Sequence, residues 1–276
     1  MLDLGLVHQA AGLHGLTPQS QSQLRVIAVA SPASHTVSAK PAMDALWQVC
    51  AILQRLGSPV VVLDGTTHET ESNPGLLDLL TQAPWHEAAS RNAGAGAGAA
   101  SLAVIPAAKG LLLAARRARL HDGPPLEGLQ PYFRTYGLMV LHAPADTLGP
   151  LLTHTATIPL VMMAQDDAAG VLDSYKSLKQ IALDTGLPCM VAGLLSDDTV
   201  GERRKVRAAL KTLQECAEQH LCRPVRTTAI APRNPQDLQR LALQLLENAG
   251  TITEASPVPQ AGRFPVGMPA QFARSH

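Results

Sequence analysis

Apolar residues fall in short runs along the chain, and stretches with helical spacing separate these runs. The first two runs, at residues 26–30 and 60–63, are apolar throughout rather than alternating. This is typical of parallel strands covered on both faces. Further strands are expected at residues 102–106, 137–141, 160–164, 189–195 and 225–230, and helices at residues 44–56, 111–121, 170–185, 201–221 and 237–248. The alternation predicts an α/β fold, a doubly wound, mostly parallel sheet with helices on both faces.

The two ends of the chain differ from this pattern. Residues 1–23 are expected to form a short docking helix and a polar linker, with Leu2, Leu6, Gln9, Leu13 and Leu16 on one helical stripe. Three glycines weaken this helix, so it should be stable mainly when docked. Residues 251–276 are rich in Pro and Gly and are expected to be a disordered tail. One α/β domain is therefore predicted over residues 24–250.

The interior of that domain contains one irregular region. Residues 68–101 show no clear periodicity, and the alternating Gly and Ala of residues 92–100 predict a flexible loop.

Composition excludes several kinds of partner. The chain carries 22 Lys and Arg against 22 Asp and Glu, with no long basic run. A nucleic-acid footprint or a membrane-binding patch usually needs such a cluster, so neither partner is expected. No stretch reaches the roughly 18 apolar residues of a membrane span. A cytoplasmic location is the expectation, and the four cysteines fit a reducing compartment, although Cys216 and Cys222 are close enough in sequence for a disulfide to be considered.

Four segments carry a resemblance to the MinD/ParA group of deviant Walker ATPases. Residues 26–31 and 60–64 match the family's first two strands, the second of which ends in Leu-Asp. Residues 101–107 are similar to its L-x-V-I-P-A strand, and residues 169–179 to its T-D-A-Y-x-x-I-K helix start. The resemblance covers about residues 24–248. It implies the P-loop NTPase fold of MinD.

The N-terminal stripe narrows the resemblance to the flagellar regulator FlhG (FleN). Proteins of that type carry a short D-Q-A-x-x-L-R helix ahead of the ATPase domain, which docks on the GTPase FlhF and stimulates it. Gln9, Ala10 and Leu13 match this pattern, whereas His8 and His14 replace its two charged positions. The resemblance implies an FlhF-type GTPase as partner. The alternative is a terminal helix that packs on its own domain.

The phosphate-binding loop departs from the family pattern K-G-G-x-G-K-[ST]. Residues 32–43 contain no glycine, although glycines let backbone N–H groups converge on phosphate oxygens. Counting back from Asp64 places the catalytic lysine at Ala42, the Ser/Thr position at Met43 and the signature lysine at Val37. Lys40 lies nearby and is followed by Pro41, which lacks a backbone donor.

Other nucleotide-contacting positions are also changed. His142 stands where the family has the aspartate that holds the Mg²⁺-bound water, Thr66 replaces a second aspartate, and Gly193 and Leu194 replace the Asn-Arg that contacts adenine. We therefore expect Lys40, Asp64 and His142 to mark a vestigial nucleotide site, with no catalytic residue, no resident metal and no required cofactor. His35, Asp64 and His142 could instead form a metal or acid–base site, and the alternative is that they are tolerated surface residues on an inactive site.

The function expected from these features is an FlhG-like regulator of flagellar number or placement that works by protein binding, without ATP hydrolysis. Two alternatives remain open. One is an active ATPase with a rearranged phosphate loop, in which ATP and Mg²⁺ bind through Lys40. The other is a MinD-like positioning protein for another machine, such as the septum, plasmid partition or cellulose secretion.

Overall fold

One sheet of eight strands runs through the computed structural model, which describes residues 24–31, 39–81, 102–121, 123–164 and 167–252. The strands are β1 (Arg25–Ala30), β2 (Val60–Asp64), β3 (Leu102–Pro106), β4 (Leu138–Ala143), β5 (Leu160–Met163), β6 (Cys189–Leu194), β7 (Val225–Ile230) and β8 (Gly250–Thr251). The helices are α1 (Ala39–Arg55), α2 (Leu76–Thr81), α3 (Ala108–Leu120), α4 (Gln130–Phe133), preceded by a 3₁₀ turn at Glu127–Leu129, α5 (Ala145–Leu151), α6 (Ala168–Thr185), α7 (Val200–Leu221) and α8 (Pro235–Asn248).

The strands lie in the order β3-β2-β4-β1-β5-β6-β7, and all neighbours in this order are parallel. β8 pairs with β1 in the antiparallel sense. Strands β2 to β4 lie on one side of β1, and β5 to β7 lie on the other. In such open α/β sheets the crevice beyond the carboxyl ends of the central strands is the usual place for a site. The predicted doubly wound, mostly parallel fold is confirmed.

Side chains of the central strands alternate between two cores, one on each face of the sheet. In β1, Val26 and Ala28 belong to one core, whereas Ile27 and Val29 belong to the other. Helices α3, α5, α6 and α7 cover the first face, and helices α1 and α8 cover the second. Both faces are buried, and this explains why β1 and β2 read as unbroken apolar runs.

Local signals set the ends of the longer helices. The side chain of Asp167 accepts a hydrogen bond of 2.8 Å from the backbone N–H of Gly170 and caps α6 at its start. Gly186 ends α6 with a φ of 68°, in the left-handed region that favours glycine. Helix α8 begins at Pro235, a residue favoured at the first helical position. The side chain of Asn234 caps the helix by accepting a hydrogen bond of 3.0 Å from the backbone N–H of Gln236.

The structure departs from the sequence prediction in three respects. Helix α1 begins at residue 39 rather than near residue 44, and Pro41 lies in its first turn, where no intrahelical N–H is needed. The short helices α2, α4 and α5 were not predicted. The domain also extends to residue 252, since Thr251 pairs with Arg25 and Ile252 is buried.

Several predictions fall on residues outside the described ranges. They concern the docking helix with Gln9, Ala10 and Leu13, the glycine-free loop with His35, the Gly and Ala run at residues 92–100, and the tail beyond residue 252. Within the described ranges, no helix has both the length and the apolar character that crossing a membrane requires.

Candidate functional site at the carboxyl edge of the sheet

Asp64 and His142 end adjacent strands and meet at the carboxyl edge of the sheet. β2 and β4 are paired so that Asp64 lies opposite His142 in the register. The Oδ1 atom of Asp64 lies 3.2 Å from Nδ1 of His142, and the two residues are 5% and 4% exposed. An ionised carboxylate only accepts hydrogen bonds, so Nδ1 of His142 carries the proton and donates it.

The carboxylate of Asp64 is engaged on both oxygens. Oδ1 also accepts from the backbone N–H of Thr66 at 3.0 Å and from its hydroxyl at 2.7 Å. Oδ2 accepts from the hydroxyl of Thr67 at 2.7 Å. Burial would raise the pKa of Asp64, but the hydrogen bonds from His142, Thr67 and Thr66 outweigh it and hold the pKa well below its usual range. Asp64 is therefore ionised at neutral pH and acts as a hydrogen-bond hub for the loop that follows β2.

Backbone contact closes the same corner of the sheet. The N–H of Gly65 donates to the carbonyl of His142 at 2.6 Å. A Cβ atom at Gly65 would lie 2.7 Å from Cβ of Ala143 and 2.9 Å from the His142 carbonyl oxygen. The ends of β2 and β4 thus approach more closely than a side chain at residue 65 would permit.

Ser31 stands beside this corner with an unsatisfied hydroxyl. It follows the last residue of β1, and its N–H donates to the carbonyl of Ala143 at 2.9 Å. The residue is 5% exposed, and its buried Oγ atom has no hydrogen-bond partner among the residues that the structure describes. Nothing in the sequence around Ser31 indicates an unpaired hydroxyl.

Glu69 is a second buried carboxylate near this edge, and it caps helices. Its oxygens accept from the backbone N–H groups of Lys109 and Gly110, both at 2.8 Å, and from that of Leu77 at 3.4 Å. Burial would raise the pKa of Glu69, yet these backbone hydrogen bonds lower it overall. Glu69 therefore satisfies the free N–H groups at the start of α3 and contacts the start of α2. This role could not be predicted from the sequence, because Lys109 and Gly110 lie 40 and 41 residues further along the chain.

Lys40 lies on a different part of the same edge. It is exposed in the first turn of α1 and lines a cleft of about 510 Å³. The other side of the cleft is formed by the ends of β5, β6 and β7, with Leu194, Ser196 and Arg233 among its residues. Gly193 does not line this cleft; it faces α7, where a Cβ atom would lie 2.6 Å from Val206.

The residues present do not fit a Mg²⁺–phosphate centre of the kind that the family resemblance implies. Mg²⁺ requires oxygen ligands at 2.0–2.1 Å. Oδ1 of Asp64 already accepts three hydrogen bonds, and position 142 offers an imidazole N–H in place of a carboxylate. Among the residues that the structure describes, no group of three or more His, Cys, Asp or Glu side chains could hold a metal ion.

The predicted site residues are thus only partly brought together. Asp64 and His142 are hydrogen-bonded, with Thr66 joined to them, whereas Lys40 lines the separate cleft. The protein is therefore a doubly wound α/β protein in which a hydrogen bond joins Asp64 and His142 at the carboxyl edge of the sheet.

Comparison with solved structures gives matches of low sequence identity. A partition protein matches with a TM-score of 0.48 and 9% identity, covering 81% of this chain and 71% of its own. A plasmid partition protein from Borrelia burgdorferi matches with a TM-score of 0.42 and 13% identity, and another from the same organism, bound to AMPPNP, with 0.40 and 12%. Each of these two covers 82% of this chain and 97% of its own. The fold class rests on the strand order of the sheet itself.

The sequence matches no protein-family model, and no curated protein matches it.

Proposed function

We propose that this chain is a MinD/ParA-like protein of the FlhG type that acts by binding another protein, an FlhF-type GTPase, and so helps to set flagellar number or placement without hydrolysing ATP. The observation that supports the loss of hydrolysis is the buried Asp64–His142 pair. His142 offers a donor in place of a carboxylate, and the two oxygens of Asp64 already accept four hydrogen bonds, so the pair is poorly suited to hold a Mg²⁺-bound water.

The sequence of the phosphate loop supports the same conclusion. The loop between β1 and α1 has no glycine, so it lacks the residues that let several backbone N–H groups face one phosphate. Lys40 is the nearest substitute in this chain for the family's signature lysine, but it lines the cleft between the start of α1 and Arg233. A protein of this type would present a fixed surface rather than a nucleotide-driven cycle.

The partner assignment rests on the N-terminal segment. Gln9, Ala10 and Leu13 match three of the five specified positions of the docking pattern, in a segment separated from the domain by a polar linker. A pull-down with a purified FlhF-type GTPase tests it. Full-length protein should retain the GTPase, and protein lacking residues 1–20 should not.

A matched pair of variants sharpens that pull-down. Leu13→Asp places a charge on the apolar stripe and should abolish retention, whereas Val7→Asp, off the stripe, should preserve it. Retention that survives both the deletion and Leu13→Asp would refute the partner assignment.

Calorimetric titration tests the loss of nucleotide binding. Millimolar Mg-ATP or Mg-ADP should give no binding heat and no change in the melting temperature, since a ligand that binds only the folded state must stabilise it. Micromolar binding would overturn this part of the proposal.

The cleft at Lys40 favours one second candidate, an ATPase with a rearranged phosphate loop. Its volume of about 510 Å³ lies within the range of small-ligand sites, and its lining includes the cations Lys40 and Arg233 together with one acid, Asp44. If this candidate is correct, Lys40→Ala will abolish Mg-ATP binding, whereas Lys211→Ala, an exposed lysine on α7, will leave it unchanged. If Mg-ATP binding is the same for the two variants and the unmodified protein, this candidate is ruled out.

A further inference from the structure

A second cavity, of about 740 Å³, lies between helices α6 and α7 on the face of the sheet opposite α1. It runs along α7 from Lys205 to His220 and along α6 from Asp167 to Tyr175. At a rise of 1.5 Å per residue, its extent along α7 is about 22 Å. This shape is a groove rather than a closed pocket, which suits a short helix.

The lining of this groove, which we call the α6–α7 groove, is mainly apolar. Leu172 is 52% exposed on its rim, and Val171, Ala208 and Thr212 also line it. The rings of Tyr175 and His220 meet edge to face, with centroids 6.5 Å apart. Leu172 and the apolar lining together form one contiguous apolar patch, which is the kind of surface that another apolar element can cover.

The charges at the groove are few and nearly balanced. Asp167 already caps α6, and Lys205 forms an ion pair with Glu202 at 3.7 Å. Such a groove offers no strong field to an acidic or basic partner. It is matched best by an apolar helix that carries almost no charge.

We propose that residues 2–16 of the same chain dock in the α6–α7 groove as an amphipathic helix, with the stripe of Leu2, Leu6, Leu13 and Leu16 against it. Between residues 2 and 16, Asp3 is the only acidic residue and there is no Lys or Arg. A helix from residue 2 to residue 16 would be about 21 Å long, close to the length of the groove. Its glycines make it weak in isolation, and this favours a docked state.

The linker is long enough to allow this docking. Residues 17–23 precede β1, and seven extended residues span up to about 24 Å. Helix α6 packs on β5 and β6, and α7 packs on β6 and β7, so the groove lies over β6, two strands away from β1. Two strand spacings of about 4.8 Å and a helix layer about 10–12 Å thick add up to about 20–22 Å, which is within the span of the linker.

Docking would also affect partner binding, a consequence that rests on the proposed function. Leu13 cannot face the groove and an FlhF-type GTPase at the same time. The groove would therefore compete with the partner for the segment. The docking itself involves this chain alone and can be measured without any partner.

Cys216 provides the probe, because its half-buried side chain lines the groove. Cys50 and Cys189 are buried in the domain, and burial raises the pKa of each to about 12, so they should react slowly. With exposed Cys222 changed by Cys222→Ser, the alkylation rate of folded protein reports on Cys216. Deleting residues 1–16 should accelerate alkylation about tenfold, as expected for a segment docked nine-tenths of the time.

Point variants guard against a deletion that disturbs folding. In the Cys222→Ser background, Leu13→Asp should accelerate alkylation like the deletion, and Val7→Asp should not. Equal rates for the full chain, the deletion and Leu13→Asp would overturn the proposal. So would protection that rises with protein concentration, which indicates a second copy in the groove, or protection lost only on deletion of residues 253–276.

Discussion

The carboxylate of Asp64 and the imidazole of His142 lie opposite each other on paired strands, with 3.2 Å between Oδ1 and Nδ1. The pair joins the ends of β2 and β4, and Thr66 and Thr67 complete the hydrogen bonding of the carboxylate. The arrangement fastens the loop after β2 to the central strands. Asp64 therefore contributes to the stability of the fold, whether or not a ligand binds near it.

Replacing Asp64 should therefore destabilise the fold. Asp64→Ala leaves the buried Nδ1–H of His142 without an acceptor, and a buried unsatisfied group costs about 1–3 kcal/mol, whereas water can take over the donors of the exposed Thr66 and Thr67. Urea unfolding at pH 7 should show a loss of about 1–3 kcal/mol. The control is Asp173→Ala, at an exposed ion pair with Lys176, which should change the free energy of unfolding by less than about 0.5 kcal/mol. A similar small change for both variants would contradict the role assigned to Asp64.

The contribution of Asp64 should depend on pH in a defined direction. Its pKa is lowered in the folded protein, relative to about 3.9 in an unfolded chain. The stabilisation is therefore present above about pH 4 and is lost as the pH falls towards the folded pKa. The difference in unfolding free energy between the unmodified protein and Asp64→Asn should be smaller at pH 3 than at pH 7. A difference that is larger at pH 3 than at pH 7 would contradict the lowered pKa of Asp64.

Removing the Ser31 hydroxyl should be harmless or slightly stabilising. Its buried Oγ atom has no partner in the described part of the chain, so Ser31→Ala removes an unsatisfied polar group and should raise the unfolding free energy by up to about 1 kcal/mol. Thr185→Ala is the contrasting variant, since the buried Thr185 hydroxyl donates to the carbonyl of Ile181 at 2.7 Å. It should lower stability by about 1 kcal/mol. A clear loss on Ser31→Ala would mean that the hydroxyl has a partner in solution.

Glu69 should matter more than an ordinary surface acid. Glu69→Ala removes the acceptor for the N–H groups of Lys109 and Gly110, and we expect a loss of about 2 kcal/mol in chemical denaturation. Glu215 serves as the control, because it is exposed and paired with Lys211 at 3.7 Å. Glu215→Ala should change stability by less than about 0.5 kcal/mol. Equal effects would show that the cap is replaced by water.

The contact at Gly65 predicts a steric effect. Gly65→Ala would place a methyl group 2.7 Å from Cβ of Ala143, and overpacking of this kind costs about 1–3 kcal/mol. Gly128→Ala is the matched variant, since nothing lies within 4 Å of a Cβ atom there. It should leave the melting temperature unchanged or slightly higher. Equal melting temperatures for the two variants would mean that β2 and β4 separate at little cost.

The main strands and long helices could be predicted from the sequence because each has a strong local signal. Strand β2 consists of four apolar residues followed by Asp64. Helix α6 has Asp167 as its N-terminal cap and ends at Gly186. Short elements lack such signals. Helix α2 has six residues, fewer than two turns, and depends on Glu69 and on the close approach of Gly110. Helix α5 contains Gly149 and Pro150, which normally indicate a loop.

The candidate site was predictable in its members but not in their contacts. Asp64 and His142 each end a strand, so both were expected at the carboxyl edge. Their direct hydrogen bond depends on β4 lying next to β2, although β3 comes between them in the sequence. Nothing local determines that order. The same limit applies to Lys40, which lines a cleft between the start of α1 and the ends of β5, β6 and β7, because nothing near residue 40 determines that strand order.

The pairing of Arg25 with Thr251 brings the two ends of the domain together. Neighbouring strands are about 4.8 Å apart, so residues 24 and 252 leave the sheet almost side by side. A short glycine–serine linker could therefore join them, and the chain could be reopened elsewhere to give a circular permutant with the same fold. In the natural order, the N-terminal segment and the C-terminal tail both extend from this one point, so a protein held by one of them is brought within reach of the other.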